Sequence, residues 1–146
     1  MTCPLFLQHG ARDTAPWGYG NASLAAIEDL IQLRTTLQPY IMTQMRSASS
    51  QGVPINRPVW WDFPFDEATW SIDDAYMFGT DYIVCPVTAP KAASWECYLP
   101  KLPAGFKWVH HYTGKQYAGG ANATTLTPLN QFPLFKKSPA HTQHIL

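Results

Sequence analysis

The chain has 146 residues, with ten Lys and Arg against ten Asp and Glu, and a formal net charge of zero. That length suits one ordinary domain, and the balanced charge gives no electrostatic attraction to nucleic acid or to an anionic membrane. No apolar run approaches the roughly 18 residues a membrane span needs, and residues 1–9 lack the basic region and apolar core of a signal peptide.

Residues 1–20 predict a short strand followed by a loop. Leu5, Phe6 and Leu7 form an apolar run too short for a helix, and Gly10, Pro16, Gly18 and Gly20 then break regular structure. Residues 24–51 carry the strong helix signal. Leu24, Ile27, Leu30, Ile31, Leu37, Ile41 and Met45 recur at helical spacing. Ser23 is the expected N-cap and Gly52 the expected stop. Pro39 removes one helical hydrogen bond and predicts a kink near 35–40.

After Gly52 the character changes. Prolines and aromatics multiply and apolar segments shorten. Residues 59–63, 82–87, 95–99 and 107–112 read as strands, and Leu134 and Phe135 as part of a final one. Residues 113–116 and 118–121 read as tight turns. Many short strands with frequent turn residues predict an antiparallel sandwich, with a domain boundary near Gly52.

Cys3, Cys85 and Cys97 are too few and too scattered to predict a disulfide framework or a zinc site, and Cys85 reads as a buried thiol. Asn21-Ala-Ser23 and Asn122-Ala-Thr124 fit the glycosylation acceptor pattern, which matters only in a secreted protein. His110, His111, His141 and His144 lack the further ligands a metal site needs.

One stretch carries more specific information. Gly52-Val-Pro-Ile-Asn-Arg57-Pro58 is followed by Asp73-Asp74-Ala-Tyr-Met-Phe-Gly79 and then by Asp81-Tyr-Ile-Val-Cys85-Pro-Val87. This run resembles the G-x-P-x-x-R-P … D-x-x-Y-M-x-G … D-x-x-x-x-P-V pattern of glycoside hydrolase family 31, the retaining α-glucosidases and α-xylosidases. Upstream, Pro4 to Gly10 is similar to that family's P-x-F-R-x-H-G segment, with Leu7 where the family commonly has Arg. Downstream, Tyr98-Leu-Pro100, Trp108, Thr113-Gly114, Tyr117 to Gly120 and Pro128 to Phe135 follow the family order. The resemblance covers about residues 4–137.

The resemblance implies a fold and a division of labour. Residues 1–52 would form the last strand end and last helix of a (β/α)8 barrel. Residues 53–146 would form the proximal antiparallel β-sandwich that follows it, with a disordered tail at 138–146 that leaves one sandwich edge open. A retaining glycosidase needs two carboxyl groups about 5–5.5 Å apart. The family's two lie on earlier barrel strands, and neither motif occurs in this chain, so no catalytic residue is expected here. The whole enzyme would cleave terminal α-linked glucose or xylose with retention, without metal or organic cofactor, and its partners would be the α-glucoside or α-xyloside substrate and the rest of the barrel. The alternative is a non-catalytic carbohydrate-binding or structural sandwich remnant.

Within the chain, His9 is the substrate-binding candidate. The matching family histidine lies in the pocket for the non-reducing sugar, where an imidazole can donate to a sugar hydroxyl; the competing reading is a satisfied histidine at a strand end. Arg12 and Asp13 read as loop ties or as sugar contacts. Asp73 and Asp74 read as a structural turn, since neighbouring side chains on an extended segment point apart. Trp60, Trp61, Trp70 and Trp95 read as core or interface more readily than as a sugar platform, with Trp60 and Trp61 on opposite faces of a strand. Arg57, among apolar neighbours, reads as a paired structural cation.

Overall fold

A computed structural model describes residues 16–140. The chain divides between Ile55 and Asn56 into two compact units.

The first unit is built on helix α1, Asn21–Gln51, preceded by a 3-10 turn, Pro16–Tyr19. The helix begins two residues before Ser23. Gly20 occupies the N-cap in an extended conformation at positive φ, and no side chain caps the first turn. Gly52 ends the helix as expected: its φ of 70° is the left-handed turn that releases the chain, and its N–H donates to the Ala48 carbonyl at 2.9 Å. The helix is continuous through Pro39. Thr35, Thr36 and Thr43 return their hydroxyls to the carbonyls four residues back, so these polar side chains are satisfied on the helix itself. Ala26, Leu33, Leu37 and Ile41 form the buried face.

The second unit is all-antiparallel. Its strands are β1 Asn56–Pro58, β2 Tyr76–Phe78, β3 Tyr82–Val84, β4 Ser94–Leu99, β5 Phe106–His110, β6 Gln116–Tyr117, β7 Ala121–Leu126 and β8 Leu134–Pro139. Six make one sheet in the order β1-β2-β3-β8-β5-β6, and β4 and β7 make a second. The register puts Met77, Ile83, Phe135, Trp108, His110 and Tyr117 on one face of the large sheet. Cys97, Leu99 and Ala123 of the small sheet close against that face in a shared core with Val59 and Cys85. This is the expected helix-then-sandwich class.

Four expectations are corrected. Residues 59–63 are not a strand: Val59–Asp62 is a short helix, α2, with Pro58 before it and the Phe63 N–H bonded to the Val59 carbonyl. A buried ion pair from Arg57 to Asp62 favours the coil over the extended chain, because five residues of strand would hold the two charges far apart. Cys85 is not a free thiol. It is joined to Cys97 across 12 residues, with Cα atoms 5.9 Å apart, within the span a disulfide bridges. The bond links the loop after β3 to β4. The tail is ordered further than expected: β8 runs to Pro139, with buried Ser138 opposite Lys107 and Pro139 opposite Phe106. Proline is tolerated there because it ends the strand. Nor does the last strand leave an edge open, since β8 lies between β3 and β5. Residues 141–146 lie outside the described residues.

Candidate functional site

The segment after β1 is held by two buried polar groups. Arg57, 4% exposed, donates from Nη2 to Asp62 Oδ2 at 2.8 Å and from Nε at 3.1 Å, and from Nη2 to the Gly79 carbonyl at 3.0 Å. The expected structural cation is thus found, bridging α2 to the turn after β2. Asp66, also buried, accepts from the Tyr98 hydroxyl at 3.0 Å and from the Lys101 N–H at 2.9 Å. Burial, and then the hydrogen bond and charge of Asp66, push the Tyr98 phenol up from its ordinary pKa, which keeps it a proton donor to the carboxylate. Thr69 closes the same turn by donating to the Asp66 carbonyl at 2.7 Å.

Asp62 and Asp66 line a cleft of about 590 Å³ with Phe65, Phe106, Lys101 and Lys137. The cleft holds two carboxylates, but neither has the freedom that glycosidase chemistry needs. One is the counter-ion of Arg57 and the other accepts a phenol and an amide. A nucleophile must be free to attack and an acid free to transfer its proton. Asp73 and Asp74 are exposed on the bend leading into β2.

A second cleft, of about 690 Å³, opens at one end of the sandwich. His110, Thr113, Lys115 and Tyr117 approach it from the large sheet and its hairpin, and Thr124, Thr125, Thr127 and Gln131 from the small sheet and the loop after it. His110 Nδ1 is 2.9 Å from the Thr113 hydroxyl. The buried Nε2 of His110, the Thr125 hydroxyl and the indole N–H of Trp95 have no hydrogen-bond partner. Each such group costs about 1–3 kcal/mol when left unpaired. Burial, and then the neighbouring His111, push the His110 imidazole below its ordinary 6.5.

Of the residues singled out from the sequence, His9, Arg12 and Asp13 lie outside the described residues. Trp60 and Trp61 are both exposed, their rings 6.1 Å apart on α2, so the expected opposite-face arrangement does not occur. Trp70 is exposed and donates its indole N–H to the Pro64 carbonyl. Trp95 is half-buried against the core, as expected. The missed residues are Asp62, Asp66 and, at the second cleft, the His110 and Thr125 pair. The Asp66–Tyr98 pair spans 32 residues, beyond what any local pattern reveals.

The second unit is thus an antiparallel sandwich whose two cleft carboxylates, Asp62 and Asp66, are engaged in structural contacts. Residues 52–140 match the glycosyl hydrolase family 31 C-terminal domain, and the chain belongs to that family. A probable glucan 1,3-alpha-glucosidase of Arabidopsis thaliana is 36% identical over 138 residues, which is 92% of this chain and 15% of that protein. An alpha-xylosidase of Saccharolobus solfataricus is 33% identical over 139 residues, 94% of this chain and 19% of that one. The structure of a GH31 alpha-xylosidase from a soil metagenome, complexed with xylose, superposes with a TM-score of 0.81 at 34% identity, covering 89% of this chain and 19% of that chain. The chain therefore spans less than a fifth of the length of these relatives.

Proposed function

We propose that this chain serves as the C-terminal part of a retaining family 31 glycosidase that hydrolyses terminal α-linked glucose or xylose. The observation that carries the reading is the family match over residues 52–140, in a chain whose cleft carboxylates, Asp62 and Asp66, are already engaged. The nucleophile and the acid/base then come from upstream barrel strands, about 5–5.5 Å apart across the sugar, and act through a glycosyl-enzyme intermediate. In this reading helix α1 is the last helix of that barrel, and the sandwich is the domain that follows it in the chain.

In this reading His9 closes the pocket around the non-reducing sugar and donates to one of its hydroxyls. Its role is to position the sugar, because one imidazole cannot supply nucleophile and acid together. The test is the chain joined to its upstream barrel and assayed with aryl α-glucosides and α-xylosides. Turnover of one or both is expected. His9→Ala should lower kcat/KM by about ten- to a hundredfold, the loss of roughly one hydrogen bond to a sugar, without lowering thermal stability. Unchanged kinetics would return His9 to a structural role, and no turnover in the joined enzyme would overturn the assignment.

A further inference from the structure

We propose that the second cleft is a binding site for a sugar unit, separate from the catalytic pocket. The inference begins with two buried groups of the cleft wall, His110 Nε2 and the Thr125 hydroxyl, that have no hydrogen-bond partner within the protein. Trp95 and Thr125 are directly opposed on β4 and β7. Thr125 shares the inward-facing side of its strand with core Ala123. His110 stands on the facing sheet, its ring 5.2 Å from that of core Phe135. His110 is 3% exposed and Thr125 7%, and both line the cleft. Native folds leave few buried polar atoms unpaired, and each one calls for a partner such as a ligand, an ion or an ordered water.

The chemistry of the two groups selects the ligand. A threonine hydroxyl donates and accepts. His110 Nε2 donates in one tautomer and accepts in the other, according to whether Thr113 gives or takes the proton at Nδ1. A ligand hydroxyl satisfies both groups in either tautomer. A carboxylate or phosphate, which only accepts, fails the accepting tautomer, and an ammonium, which only donates, fails the donating one. The rest of the wall is mostly apolar, with Ala93, Leu126, Pro128 and the Tyr117 ring beside hydroxyls from Thr113, Thr124 and Thr127 and an amide from Gln131, and it has no carboxylate. Its one cation, Lys115, already sits 4.9 Å over the Tyr117 ring. The imidazole is neutral at and above neutral pH, so the wall presents neutral hydrogen-bonding groups. A cleft of about 690 Å³ lies within the range of small-molecule sites, about 300–1,000 Å³. The hydroxyl argument stands on the cleft alone; the glycosidase reading only suggests which sugars to try.

The test is an NMR titration of the isotope-labelled chain with glucose, xylose, maltose and isomaltose, with inorganic phosphate as the contrasting probe. Saturable shifts are expected at the Trp95 indole, the His110 ring nitrogens and the amides of 113–117 and 124–127, with millimolar affinity for a sugar and none for phosphate. Thr125→Val keeps the shape and removes the hydroxyl. It should weaken sugar binding about tenfold, the worth of one hydrogen bond. Gln131→Ala, at the rim, should weaken it less without disturbing the core, and it decides the matter if the valine variant does not fold. The proposal is overturned by shifts confined to Trp60, Trp61 and Trp70, by phosphate binding in place of sugar, by no saturable shift with any sugar, or by variants that bind as the parent does. An unpaired hydroxyl with no ligand would instead show Thr125→Val as simply more stable. Because no turnover is measured, failure here leaves the glycosidase assignment standing, and the joined-enzyme assay decides that assignment independently.

Discussion

In residues 56–140, Trp108, Phe78, Phe135, Met77, Ile83, Leu99 and Leu134 are fully buried, while helix α1 leaves Ile31, Met42 and Met45 each more than 40% exposed. Those three lie on one stripe of the helix, since separations of 11 and 14 residues return close to the same angle at about 100° per residue. The sandwich thus completes its own core, with a disulfide, the Arg57–Asp62 ion pair and the buried carboxylate of Asp66 tying its loops. The helix has an apolar face beyond the one it buries, no capping side chain at its start and a proline at its middle. The difference separates a module that is stable through its own contacts from a helix that keeps an exposed apolar stripe.

The comparison predicts where substitutions hurt. The largest effect belongs to the sandwich core. Trp108→Ala removes a fully buried ring and its hydrogen bond to the Pro100 carbonyl, and should cost about 3–5 kcal/mol in urea unfolding. A loss below 1 kcal/mol would mean the core is loosely packed. Next comes the ion pair. Asp62→Asn leaves the buried Arg57 guanidinium without its counter-charge and should cost about 3 kcal/mol, at the low end for a buried pair because Asp62 is partly exposed. Equal stability would show that solvent already screens it.

A smaller effect follows from pH. His110 holds its imidazole below the ordinary 6.5, so the unfolded chain takes up the proton first as pH falls. Its contribution is therefore complete above about pH 6.5 and is lost progressively below that value, down to the folded pKa. Urea midpoints should fall between pH 7.5 and 5, and His110→Gln should flatten that slope. A slope unchanged in the variant would assign the effect elsewhere. The smallest effect is expected on the helix stripe, where Met42→Gln and Met45→Gln should each change the stability of this chain by less than about 0.5 kcal/mol. Under the proposed assignment of α1 to a barrel, the same pair should cost more in the joined enzyme. Equal, small costs in both settings would remove the reason for assigning α1 to a barrel.

Much of this organisation was legible in the sequence. The 3.6-residue period set out α1, Gly52 announced its left-handed end, and strands at 82–84, 94–99, 106–110 and 134–139 fell at or near their expected places. The errors share a cause. At 59–63, β-branched and aromatic residues favour a strand by propensity, yet the Arg57–Asp62 pair and Pro58 impose a helical turn. Cys85 and Cys97 lie 12 residues apart, and only the facing of the two sheets brings them together. Ser138 reads as the start of a polar tail, but its position opposite Lys107 buries it. The same limit hid the second cleft. His110 and Thr125 become a pair only when one sheet is laid on the other, and no spacing along the chain encodes that. The family itself was readable from short ordered motifs, because each of them is local.

The most direct test of the account is a turnover measurement on the purified 146-residue chain with aryl α-glucoside and α-xyloside substrates, beside the same chain joined to its upstream barrel. The account predicts release at the buffer rate from the chain alone and enzymatic turnover from the joined protein. Turnover by the chain alone, abolished by Asp62→Asn or Asp66→Asn, would contradict it and would make the cleft carboxylates catalytic groups.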